Sequence, residues 1–139
     1  KSDLGNGGSL KEVQTNFTYD NAFDTLTDTI TAFPSSNDSG VLVVYNFNSF
    51  TGEHKGNLEV TLPDAANYVS EGVKELMLLV AFNCATTGSA KPDVVISSAD
   101  SDGNTVYAPA ITNVTQGALI RCIPFVSGSS HLWAVSGQL

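Results

Sequence analysis

Positive charge is what this sequence has least of: six lysines and arginines stand against 14 aspartates and glutamates, for a net charge of −8 over 139 residues. The basic residues are scattered singly, so sequence neighbours cannot build the cationic face that a phosphate backbone demands, and nucleic acid is excluded as an expected partner. Anionic membrane surfaces are disfavoured on the same ground. No apolar run approaches the roughly 18 residues of a spanning helix, so no membrane insertion is expected. The first residues carry no secretory signal pattern. Cysteine is nearly absent too, with two in the chain. A domain of this length buries about two thirds of its unfolded surface and needs no staple. Cys84 and Cys122, each in an apolar run, therefore read as small buried hydrophobes, with a strand-to-strand disulfide as the alternative.

Motifs that carry chemistry are equally scarce. Asp100-Ser101-Asp102-Gly103-Asn104 resembles the start of a calcium loop, but an EF-hand sets its glycine two positions later and closes on a bidentate glutamate. A hairpin turn is the preferred reading. His54 and His131 have no Cys or His at ligand spacing, so no metal is expected. Ser127-Gly128-Ser129-Ser130-His131 lacks the Gly-x-Ser-x-Gly elbow and reads as a turn before the last strand. The glycines at 5, 7 and 8 lack the strand and lysine of a phosphate cradle. None of the acids is singled out as a glycosidase pair. The expectation is a protein without cofactor and without enzymatic activity. Sequons at Asn16, Asn37 and Asn113 are no more than a chain rich in Asn, Ser and Thr produces by chance.

What is abundant is Ser, Thr and Asn, 39 residues together, with charged residues at only 14%. That balance suits strands and turns. The organising stretch is Leu58-Glu59-Val60-Thr61-Leu62-Pro63-Asp64. Leu58, Val60 and Leu62 alternate with polar neighbours, the pattern of a half-buried strand, and Pro63-Asp64 stops it. Residues 76–82 (LMLLVAF) and 41–47 (VLVVYNF) are apolar on both faces, as in strands covered on each side. Over residues 16–33 a helical spacing of Phe23, Leu26, Ile30 and Phe33 competes with a threonine face at Thr25, Thr27, Thr29 and Thr31. The β-branched threonines favour strand. Residues 1–14 read as a linker or stalk end, with a capping box at Ser9 and Glu12, and residues 15–139 as one domain. Polar loops at 51–56 and 100–104 read as hairpin connections. Pro124 interrupts the apolar run at 118–126 and marks an edge or a bulge. The fold class expected is all-β, an antiparallel β-sandwich or jelly roll of about seven to nine short strands.

Flat apolar rings with nearby amides can hold sugars. Tyr68, Trp133 and Tyr107, with Asn104, are the candidate ligand-binding residues. Tyr68 is the one expected to be exposed, whereas Trp133 reads first as a plug at one end of the core. The run at 58–66, the dry strand at 76–82, the Ile/Val strand leading to Asp102-Gly103, and the closing Gly117-Ala118-Leu119 and His131-Leu132-Trp133-Ala134-Val135-Ser136-Gly137 together look like the β-rich domains of tailed-phage fibre proteins. The resemblance covers residues 56–139. It implies a non-enzymatic homotrimer on the virion surface, attached to other virion proteins and presenting an end to a host cell-surface glycan. The alternative is a carbohydrate-binding module or adhesin domain of a secreted bacterial protein.

Overall fold

The alternation at Leu58, Val60 and Leu62 fixes how the two layers of this protein meet. In the computed structural model these three side chains are buried, while Glu59 between them faces solvent. The structure describes residues 9–19, 25–50, 57–69, 74–82, 93–98, 106–107 and 117–138. They form β1 (Ser9–Tyr19), β2 (Leu26–Thr29), β3 (Asp38–Phe50), β4 (Leu58–Leu62), α1 (Ala65–Val69), β5 (Glu75–Phe82), β6 (Val94–Ser98), β7 (Val106–Tyr107), β8 (Ala118–Ser127) and β9 (Ser130–Gln138). A six-stranded sheet runs in the order β1-β3-β5-β8-β9-β7, and a three-stranded sheet in the order β2-β4-β6.

Up to β6 the chain alternates between the sheets. β1, β3 and β5 lie side by side and parallel in the larger one. β2, β4 and β6 do the same in the smaller. Three successive turns of chain are thus stacked as a flattened coil. β8 then pairs antiparallel with β5, and β9 antiparallel with β8, while β7 lies parallel to β9. The all-β expectation holds at the level of strand content. The antiparallel sandwich or jelly roll gives way to a mixed six-stranded sheet and a parallel three-stranded one, in which, among the described residues, five of the seven ladders are parallel.

The same topology corrects both expected hairpins. β3 and β4, on either side of residues 51–56, enter different sheets, and so do β6 and β7 on either side of residues 99–105. The tight hairpin among the described residues is β8–β9, where Ser127 pairs with Ser130 across Gly128 and Ser129. Gly128 has φ +62°, which the mirror-image turns of two-residue hairpins require at their first central position. The Ser/Gly turn is therefore where the sequence placed it. Pro124 pairs with Trp133 on one side, while the β5–β8 ladder has already ended at Leu76 and Cys122. The proline sits where its strand has lost one neighbour, so its missing N–H breaks no ladder bond there. The stretch read as a linker is strand from Ser9 onward, and no helical turn follows Ser9. Ladder bonds to β3 outcompete an isolated capped turn, which water does not sustain.

Paired rows fill the space between the sheets. Val41, Leu76, Cys122 and Val135 lie side by side across β3, β5, β8 and β9, with Val43, Leu78 and Ile120 in the next row. All are buried, as are Leu58, Val60, Leu62 and Val94 of the opposing sheet. Each such aliphatic side chain contributes about 1.5–3 kcal/mol by leaving water. Cys122 is a free thiol, and burial first and the Glu75 charge second push its pKa up to about 12. It stays protonated at neutral pH and is poorly nucleophilic. Iodoacetamide at pH 8 is therefore expected to spare Cys122 in the native protein and to alkylate it once guanidinium unfolds the chain. Peptide mapping by mass spectrometry reads this, and native-state labelling at the rate of a free thiol would contradict the packing. Cys84 lies outside the described residues.

Candidate functional site

The Pro63-Asp64 corner positions the first candidates. Asp64 caps α1, its Oδ1 accepting from the Ala66 amide at 3.0 Å, as an N-cap carboxylate does. The helix carries Tyr68 inward. Its ring meets Trp133 edge-on at 5.1 Å between centroids with an interplanar angle of 67°, and its hydroxyl donates to the Ala32 carbonyl at 2.6 Å. Phe33 packs on the other side of Tyr68 at 5.9 Å. Trp133 Nε1 donates to the Pro63 carbonyl at 2.8 Å.

Both rings are fully buried, at 0% exposure. Neither offers a face to a sugar, and the expectation that Tyr68 is exposed is corrected. Polar neighbours, Asn67 and Ser70, suggested a loop. One turn of helix instead turns the tyrosine under the core, and burial pushes its phenol above the ordinary range. Trp133 is the plug. Of the remaining candidates, Tyr107 contributes backbone to β7, its side chain lying outside what is described, and Asn104 lies outside the described residues, as do His54 and Asn113.

A second polar contact crosses the core. The Tyr45 hydroxyl donates to Asp28 Oδ2 at 2.7 Å, tying β3 of the larger sheet to β2 of the smaller. Asp28 points inward because it shares the face of Val60, its ladder partner. Burial, and then the hydrogen bond and charge of Asp28, raise the Tyr45 pKa, so the phenol remains a neutral donor. The contact is structural. Among the described residues no group of three or more His, Cys, Asp or Glu is placed to hold a metal ion.

The outer faces of the two sheets differ sharply. That of the smaller sheet presents Thr27, Thr29, Glu59, Val95 and Ser97 to solvent. That of the larger sheet presents apolar rows. Val44, Leu79 and Leu119 adjoin one another across β3, β5 and β8, and Leu42, Met77 and Arg121 form the next row. The aliphatic residues on β3 and β5 are half-buried, whereas Leu119 and Ile123 are 43% and 39% exposed. The one cation on β8 is neutralised in place. Arg121 Nε lies 2.5 Å from Glu75 Oε2 and its second nitrogen 3.2 Å from Oε1, a two-point pairing that raises the arginine pKa and keeps the guanidinium on its own sheet. Beside it, Leu119, Arg121, Ser136 and Gly137 line a shallow hollow of about 330 Å³. On β1 the Leu42 row ends in the exposed Glu12 and the Val44 row in the amide of Gln14. Asn46 Nδ2 and Gln14 Nε2 both donate to Asn16 Oδ1 at 3.1 Å.

This face is the feature that singling out aromatics missed. Its signal was the two-sided apolarity of residues 41–47 and 76–82, together with the alternation of Leu119 and Ile123 around Arg121. Comparison with family models, with curated proteins and with solved structures finds no match to this chain.

Proposed function

We propose that this chain is a structural and host-attachment domain of a tailed-phage virion fibre, non-enzymatic, assembled as a homotrimer on the virion surface and presented to a cell-surface glycan. The observation that carries the proposal is the contrast between interior and exterior. Two sheets close on a core whose buried residues, among those described, are apolar or aromatic, and, apart from the apolar outer face of the larger sheet, the chain is acidic and rich in Ser and Thr, which favours solubility over indiscriminate adhesion. The reading is supported by the strand at Leu58–Leu62 with its stop at Pro63-Asp64 and by the closing strand that carries Trp133. With Tyr68 and Trp133 inside, glycan contact falls to hydroxyls, amides and loop residues, and repetition by symmetry raises weak single-site binding to useful avidity. The same burial takes two of the three candidate rings, Tyr68 and Trp133, from the carbohydrate-module alternative.

The test combines mass and adhesion. Light scattering of the purified protein is expected to give three times the 14.6 kDa chain mass. Labelled protein is expected to bind a subset of bacterial strains and to lose that binding when their surface polysaccharide is removed, with no release of reducing sugar. A protein that binds no bacterial surface, or that depolymerises the polysaccharide, overturns the proposal.

A further inference from the structure

We infer that the outer face of the six-stranded sheet, centred on Leu79, Leu119 and Ile123, is where copies of this chain meet. The inference gives the oligomer of the fibre reading a definite contact surface, yet it needs only self-association and stands without any virion.

Three observations lead there. First, β3 has parallel neighbours on both sides, and parallel strands with continuous apolar runs are found covered on both faces. One cover is the smaller sheet. On the other side, among the described residues, no helix or strand packs: α1 lies under the core through Tyr68 and Trp133, leaving Leu42, Val44, Met77, Leu79, Leu119 and Ile123 without a facing layer.

Second, the charge distribution favours a copy of the same chain. Two molecules of net charge −8 repel wherever acidic surfaces meet. Within the central rows of this face the charged groups on β3, β5 and β8 are Glu75 and Arg121, already paired with each other, and Glu12 stands exposed at the β1 edge of the Leu42 row, so two such faces can approach with the remaining like charge held to the solvent-screened rim. The smaller sheet, with Glu59 at its centre, offers no such surface.

Third, the size fits. Five strands about 4.8 Å apart and about seven residues long at about 3.3 Å each give a flat footprint of roughly 550 Å². The relief of Leu, Met and Ile side chains brings that toward the about 800 Å² that each partner of a stable interface contributes. The aliphatic rows form the dry centre, and Glu12 with the amides of Gln14, Asn16 and Asn46 forms the polar rim, the usual division of an interface.

The test replaces the two exposed aliphatics together, Leu119→Lys with Ile123→Lys, against a charge-matched control on the other sheet, Thr27→Lys with Val95→Lys. All four positions are exposed, so folding is expected to survive, and circular dichroism with the emission of the single tryptophan verifies it. Both doubles lower the net negative charge, so generalised repulsion cannot explain a loss of assembly. Sedimentation velocity is expected to show the unsubstituted protein and the control assembled at about 10 µM, and the face variant shifted toward monomer by at least about tenfold in concentration. The inference is overturned by a folded face variant that keeps its assembly, by a control that loses assembly equally, or by an unsubstituted protein monomeric at about 100 µM. Assembly through this face without adhesion to any bacterial surface sustains the inference and sinks the fibre reading. Adhesion by an assembly indifferent to the face variant does the reverse.

Discussion

Replacing Trp133 by alanine is expected to cost about 3–5 kcal/mol, out of the about 5–15 kcal/mol that keeps a domain folded. The indole is fully buried, it holds the edge-on contact with Tyr68, and its N–H satisfies the carbonyl of Pro63 seventy residues away. Truncation therefore opens a cavity, removes an aromatic pair and orphans a buried acceptor in one step. Trp133→Phe separates these losses, because it keeps most of the apolar volume but strands the Pro63 carbonyl. Its cost is expected near about 1–3 kcal/mol. Urea unfolding followed by circular dichroism reads both values. An alanine variant within about 0.5 kcal/mol of the parent would mean that Trp133 is not the plug described.

The second large effect is expected at Gly40. This residue sits in β3 between Leu10 of β1 and Glu75 of β5, and a Cβ built there would meet the Glu75 carbonyl oxygen at 2.3 Å. The obstacle is backbone, which cannot rotate aside like the end of a side chain. Gly40→Ala must spread the β3–β5 ladder at its first pair, beside the Arg121–Glu75 contact. Overpacking of this kind costs about 1–3 kcal/mol and occasionally more, and the upper end is expected because the clash is with a strand held on both sides. Gly128→Ala is the informative comparison. That glycine has open space around it and a positive φ, so its cost is limited to conformational strain of about 1 kcal/mol. Equal effects at the two sites would show that the close approach at Gly40 is not real.

How much of this was legible from residues alone depended on whether the information was local. The strand at 58–62, its stop at Pro63-Asp64, the two-sided strands at 41–47 and 76–82 and the turn at Gly128 follow from periodicity and turn chemistry within a few residues. Strand pairing does not. Asp102-Gly103 suggested that β6 and β7 fold back on each other, whereas β6 lies beside β4 and β7 beside β9. No local signal distinguishes a hairpin from two strands that part for different sheets. The burial of Tyr68 escaped notice for a related reason. Its neighbours in sequence are polar, and only the distant Trp133 and Ala32 explain why it turns inward. The outer apolar face was half visible, in β3 and β5 but not in β8, whose role emerges only when Leu119 is seen to lie against Leu79.

The stacking of turns also governs how the chain can reach its native state. Leu10 finds Gly40 and Gly40 finds Glu75, partners 30 and 35 residues apart in the chain, and the smaller sheet joins Leu26 to Leu58 and Leu58 to Val94 at similar range. Each of these ladders must close a long loop before its first bond forms, which places such topologies among slow folders. Among the described ladders the β8–β9 hairpin alone closes across two residues. Strands β8 and β9 hold the cheapest contact to make, so the parallel ladders wait on entropy while this hairpin does not.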